Sequence, residues 1–304
     1  MKPIRKAYYQ LHTAVFLFGF TAILGALIQL NELSIVWWRL LLTCSTLAVF
    51  PGLLAGLSKL PRRQLFRLAG IGAIVAAHWV TFYGAIKYAN VSIALSCFAT
   101  TSFFTSILEP ILLRKAFRWY ELVLGLLVIP GMYIIFSVTD INYLQGIIMG
   151  LVSALLASLF STLNKEMVEH HDPIQITFVE LGSGLLFLSL LMPGYWTFLG
   201  DGQNLFWPTA MDFFYLLLLA ILCTVVAYVL SLKALKHVSA FASNLTINLE
   251  PIYGIIMAWL FFQENKELSP TFYLGASIIL LAVFAHPILE KLFFIKEEGI
   301  VKSE

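Results

Sequence analysis

The sequence predicts an all-α membrane protein of ten transmembrane helices, and three observations predict it. Six stretches, Leu11 to Leu30, Leu68 to Ile86, Tyr88 to Leu108, Ile141 to Asn164, Phe213 to Leu232 and Leu268 to Leu289, contain no Asp, Glu, Lys or Arg. Each is close to the roughly 20 apolar residues that a helix needs to cross the hydrocarbon core. Four further runs, Leu33 to Leu57, Trp119 to Ser137, Ile174 to Trp196 and Ser239 to Gln263, qualify if a few internal charges are tolerated. Third, the basic residues alternate. Only Lys87 and Lys266 fall in the outer gaps and Arg39 within a span, while every other Lys and Arg of the 19 lies in a gap on the side of the N-terminus. A missed or false span would scramble that alternation, which makes the basic side cytoplasmic and puts both termini there.

Taken in order, span one follows Lys2, Arg5 and Lys6 as the core of a signal peptide would. Its length and the lack of a small-residue cleavage site predict an uncleaved anchor. Span two carries Arg39 behind Trp37 and Trp38 and stops before Lys59, Arg62, Arg63 and Arg67. Span three holds His78, Trp79 and Tyr83, and span four is rich in small residues and ends at Glu109-Pro110, ahead of Arg114, Lys115 and Arg118. Span five runs from Trp119. Span six repeats Gly146, Gly150, Ala154 and Ser158 every four residues, a stripe that allows close helix contact and is best read as packing. Span seven contains Glu180. The longest gap, about Thr197 to Asp212, has two acids and no base and faces outward. Span eight leads to Lys233 and Lys236, span nine contains Glu250-Pro251, and span ten precedes Lys291, Lys296 and Lys302.

Composition excludes other classes. At 60% hydrophobic and 12% charged, with a mean hydropathy of +0.88, the chain cannot be a soluble domain. The basic residues are accounted for by orientation, so a nucleic-acid reading has no patch to rest on. Cys44, Cys97 and Cys223 lie within spans and imply no disulfide framework.

The chain also repeats itself. Tyr83 to Ser92 and Tyr228 to Ser239 both stand at the junction of the third and fourth spans of a half, and Leu108-Glu109-Pro110 is echoed by Leu249-Glu250-Pro251. Two five-helix repeats are therefore expected at 1–140 and 141–295, followed by a cytoplasmic tail, 296–304. Five is odd, so the second copy enters from the opposite face, an inverted arrangement that puts a binding site near the midplane and lets it open to either side.

These features, namely ten spans, Arg39 early in the second, the Lys-to-Val-Ser junctions, and Asn248-Leu249-Glu250-Pro251-Ile252 leading to Leu260-Phe261-Phe262-Gln263-Glu264 before Gly275, resemble the EamA type of the drug/metabolite transporter superfamily. The resemblance covers roughly residues 10 to 290. It implies a small-molecule substrate, export, and the inner (plasma) membrane of a bacterium. One departure stands out: where Pro251 sits in the ninth span, the fourth has Thr100, Thr101 and Ser102, so the two helices are expected to depart from strict symmetry.

Ionisable residues within spans need a partner or a task, because a charge at mid-bilayer costs about 2.5–3.5 kcal/mol on insertion scales. They are Arg39, His78, Glu109, Glu180 and Glu250. Glu250 lies deepest. Pro251 removes a backbone hydrogen bond and frees a carbonyl near Ile247, so the helix should kink there, with the amides of Asn244 and Asn248 close by. That suits a substrate or proton site, against a plain bundle-holding hydrogen bond. His78, with Trp79 and Tyr83 beside it, is either a neutral histidine bonded to a neighbouring helix or a proton relay facing Glu250. Arg39 is shallow enough to snorkel as an interface anchor, or serves as an anion clamp at the outer mouth. Glu180 is its counterpart in span seven, separated from it by about 10 Å along the normal and so symmetry-related rather than bonded. Glu109 is expected to pair with Arg114 or Lys115.

The leading reading is a secondary transporter of a small metabolite, such as an amino acid or other small organic compound, with protons as a possible coupling ion. An intramembrane enzyme and a lipid-linked flippase are the alternatives. No phosphate-binding loop is present, so ATP is not a direct energy source, and no cofactor is implied. His170-His171, beside Glu166, Glu169 and Asp172, reads as a solvated loop rather than a metal site.

Overall fold

The computed structural model describes residues 3–58, 60–137, 141–198 and 206–263 and, within 269–289, all but 272, 276, 279, 283, 286 and 287. Among the described residues the chain is helical and without strands. The helices are α1 (Pro3–Leu27), α2 (Glu32–Ala48), α3 (Leu53–Leu57), α4 (Arg62–Tyr88), α5 (Val91–Phe98), α6 (Thr101–Leu113), α7 (Trp119–Ser137), α8 (Leu144–His170), α9 (Pro173–Phe198), α10 (Ala210–Ala220), α11 (Ala227–Leu235), α12 (Ala240–Ile247) and α13 (Glu250–Phe262). A π-helical segment, Ile221–Val226, joins α10 to α11.

Six of the described segments are long and apolar enough to cross a membrane: Pro3–Leu27, Arg62–Tyr88, Val91–Leu113, Leu144–His170, Pro173–Gly194 and Ala210–Leu235. Of the other expected spans, α2 has 17 residues, α7 has 19, and α12 with α13 forms a broken pair. The tenth run, Leu268 to Leu289, lies partly outside the described residues. The second run is shorter than its apolar length suggested. Helix α2 ends at Ala48, and Gly52 at φ 80 turns the chain before the short α3. Pro51-Gly52 supplies that stop, since proline cannot continue the helical ladder and glycine alone takes the left-handed conformation without strain.

Helix starts are written in short polar side chains. Asn31 accepts from Ser34 N, Asn90 from Ile93 N and Ser239 from Ala242 N, while Thr209 and Asp212 cap α10 reciprocally. Each satisfies backbone donors that no helical turn reaches.

Close contacts of small residues set the packing. Helix α4 lies against α8 and α9. A Cβ at Gly72 would fall 2.0 Å from the Glu180 carbonyl oxygen, and one at Gly184 2.8 Å from the Gly72 carbonyl oxygen, so α4 and α9 touch backbone to backbone. The stripe on α8 packs as its spacing suggested: Gly146 meets Ala89, Gly150 meets Cys97, Ala154 is buried and Ser158 accepts from Thr105.

Two helices break at mid-length, and the breaks match. Segments of 8 and 13 residues (α5, α6) recur as segments of 8 and 13 (α12, α13). Both pairs open on a capping residue, Asn90 or Ser239, and both close on a left-handed residue, Arg114 at φ 51 or Gln263 at φ 57. The register makes Thr101 the counterpart of Glu250, since each opens the segment after the break. The Leu-Glu-Pro echo is thus a coincidence of sequence, because Glu109 sits well along α6 whereas Glu250 begins α13. The expected asymmetry from the missing proline does not arise either. At the first break the hydroxyls of Thr100 and Thr101 donate to the Cys97 and Phe98 carbonyls at 2.7 and 2.6 Å, reinforcing the chain where the helix is interrupted, and Cys97 O also accepts from Thr100 N. At the second, Pro251 falls in the first turn of α13, where its missing N–H costs nothing.

Candidate functional site

The two broken helices cross, α5 packing on α13 and α6 on α12. Asn248, at the second break, joins them: its Nδ2 donates to the Ala99 carbonyl and to Ser102 Oγ, both at 2.8 Å, at the first break. One amide therefore satisfies backbone that lipid could not, which is how irregular chain persists at membrane depth.

Beside this crossing lies an internal cavity lined by Arg39, His78, Trp79, Asn164, Tyr228 and Glu250, with Phe82, Phe98 and Phe160 among its walls. Its volume is about 80 Å³, room for on the order of five waters. Glu250, the first residue of α13, is 4% exposed, and among the described residues none hydrogen-bonds to its carboxyl group. Its acceptors are left to whatever fills the cavity.

Arg39 does not snorkel. It is 1% exposed and turns inward, its Nε donating to Thr224 Oγ1 at 2.7 Å, Nη1 to Tyr83 Oη at 2.9 Å and Nη2 to the Cys223 carbonyl at 3.3 Å. The guanidinium also stacks on Trp79, 3.8 Å from the ring centroid. Thr224 and Cys223 lie in the π-helical segment, where Thr224 Oγ1 donates five residues back to Leu219 O. That bulge shifts the ladder and exposes the Cys223 carbonyl, so the inward turn has a receptor that hydropathy does not reveal. Aromatic stacking and three hydrogen bonds hold the permanent charge away from water.

His78 is buried with Nδ1 2.9 Å from both Ser153 O and Ser153 Oγ, and its ring sits among Phe82, Phe98 and Phe160. It shares the cavity with Glu250 without bonding to it. Trp79 lines the cavity, whereas Tyr83 stands behind Arg39. Asn244 donates to Thr105 Oγ1 at 2.8 Å and Ser161 Oγ at 2.5 Å, tying α12 to α6 and α8.

Three residues escaped the sequence reading as site residues, Tyr228 and Asn164 on the cavity wall and Glu180 behind them. Glu180 is fully enclosed, with its Oε2 accepting from Tyr228 Oη at 2.8 Å and from Asn164 Nδ2 at 3.2 Å. It is not bonded to Arg39. Tyr228 was visible only as part of the repeat, and Asn164 as the end of a run. Glu109 pairs with Lys115 at 2.9 Å and also accepts from Phe241 N at 2.6 Å, so it is both an ion-pair partner and a cap for α12. Among the described residues no group of three or more His, Cys, Asp or Glu is placed to hold a metal, and His170 and His171 are no exception.

Comparison with known proteins gives three findings. The EamA-like transporter family matches residues 5–137 and again 144–285. An uncharacterized transporter of Clostridium kluyveri is 23% identical over 193 residues, a match spanning 61% of this chain and 60% of that protein. A solved structure described only as the crystal structure of a protein aligns over 94% of this chain and 98% of its own, at a TM-score of 0.68 and 14% identity, a likeness of fold alone.

Proposed function

The chain belongs to the EamA-like transporter family, within the drug/metabolite transporter superfamily, and we propose that it is a secondary transporter moving a small organic metabolite by alternating access. Family and relative point to a membrane transporter rather than an enzyme. In this reading ten helices form two inverted five-helix repeats, residues 1–140 and 141–295, in the inner membrane of a bacterium with both termini cytoplasmic. Glu250 binds substrate or coupling proton, and the direction is export.

The observation that carries the reading is the carboxyl group of Glu250 at a helix break, without a hydrogen-bond partner among the described residues and bordering a cavity that Arg39 also lines. A fixed cation and an uncommitted acid within aromatic walls suit a small molecule with polar and apolar parts. Matched breaks on crossing helices supply two places where the bundle can bend in turn.

The test is efflux and uptake by reconstituted protein against a metabolite mixture. Glu250→Gln should stay folded and lose transport, because the amide keeps the shape of the side chain and removes its charge and its exchangeable proton. Transport at the wild-type rate by that variant would remove Glu250 from the mechanism.

A further inference from the structure

We propose that Glu180 is a second, proton-carrying site, separate from Glu250 and connected to the cavity through Tyr228 and Asn164. Its purpose rests on the transporter reading; its chemistry rests on the geometry alone. Glu180 is 0% exposed and occupies the eighth position of α9. Oε2 accepts two hydrogen bonds, but Oε1 has no partner among the described residues, and neither has Asn164 Oδ1 on the adjoining side chain. A proton on the carboxyl group removes the charge from the partnerless Oε1. A carboxylate there would be a buried charge with a bare oxygen, the arrangement protein interiors avoid.

Among the described residues no cation is placed to neutralise it. The helices packed on α9 include α2, α3, α4, α8 and α11. Helix α11 presents Tyr228, and α8 presents Asn164, while Lys165 is taken by the Leu235 carbonyl and Glu169, and Glu166 by Arg67 of α4. Helix α4 meets Glu180 with Gly72, its His78 being bonded to Ser153. Helix α2 brings Cys44 near Gly182, and its Arg39 is committed to Tyr83, Thr224 and Cys223. Helix α3 has no titratable residue. Among the described residues, those lining the cavity or bonded to its wall thus include one permanent cation, Arg39, and two carboxyl groups, Glu250 and Glu180. With Glu250 ionised and Glu180 protonated their charges cancel.

Tyr228 and Asn164 each touch Glu180 on one side and the cavity on the other. The proton therefore leaves the carboxyl group along that edge to cavity water, the carboxylate left behind stays held by the hydroxyl and the amide, and a returning proton restores the neutral acid.

Infrared spectroscopy of the protein in lipid bilayers tests this without a substrate. The carbonyl stretch of a protonated carboxylic acid should be present in the wild type, absent from Glu180→Gln, retained in Glu250→Gln, and shifted in Tyr228→Phe, which loses the donor to Oε2. A spectrum unchanged in both Glu180→Gln and Tyr228→Phe overturns the proposal; should the glutamine variant fail to fold, the tyrosine variant decides alone. In proteoliposomes given a metabolite mixture, an imposed pH gradient should alter transport by the wild type and leave Glu180→Gln indifferent, whereas an equal response from both contradicts coupling through Glu180. A wild type that moves nothing in the mixture removes the transporter reading instead, and the infrared result stands apart from it.

Discussion

Arg39 and Glu180 hold equivalent places, each the eighth residue of its helix and each bonded to a tyrosine, yet they are solvated in opposite ways. The arginine has three hydrogen bonds and an aromatic face, whereas the acid has one oxygen occupied and one without a partner among the described residues. A group whose charge cannot be removed must be satisfied once and for all. A group that can take up a proton tolerates an incomplete shell, because protonation completes it. Helices α2 and α9 thus hold, at the same position along each, a fixed charge that lines the cavity and a removable one bonded to two residues that line it.

Substitutions that break the contrast should rank by how much of a shell they empty. Arg39→Ala leaves Tyr83, Thr224 and the Cys223 carbonyl without their donor and strips Trp79 of its stacking partner, so a loss on the order of 4 kcal/mol is expected, read as a fall in the thermal transition of the protein in detergent. Asn248→Ala removes two hydrogen bonds at the crossing of the broken helices and should cost about 1–2 kcal/mol by the same measurement. Glu180→Gln should be the mildest, within about 1 kcal/mol of the wild type, because the amide keeps the acceptor for Tyr228 and Asn164 and adds an N–H for the bare Asn164 Oδ1. An acid variant as damaging as Arg39→Ala would erase the distinction between the two sites.

Much of this could be read from the chain. Apolar length announced the six described segments that are long enough to cross a membrane, the small-residue stripe on α8 announced its packing, and Glu250-Pro251 marked a helix break with an acid at it. The first break was hidden because no proline marks it; hydroxyls of Thr100 and Thr101 bond carbonyls one turn back, and serines and threonines do the same in unbroken helices, as Ser45 and Thr46 do here. The orientation of Arg39 was hidden for another reason. Depth along a helix does not say which way a side chain turns, and its receptor lies in a π-helical segment more than 180 residues away in sequence. Pairing of Glu180 with Tyr228 and Asn164 is likewise a tertiary fact, made by three helices meeting. The Leu-Glu-Pro echo shows the converse failing, a repeated word whose two copies sit at different points of matching helices.

Alternating access to the cavity is tested most directly by thiol accessibility. Ser243 lines the cavity, and the native cysteines Cys97 and Cys223 are buried while Cys44 is half-buried. With those three replaced by alanine, a cysteine in place of Ser243 should react with a membrane-impermeant thiol reagent added to either face of oriented proteoliposomes, and reaction from one face should exhaust the sites open to the other. Labelling from a single face only, under every condition of substrate and pH gradient, would contradict a cavity that opens to both sides.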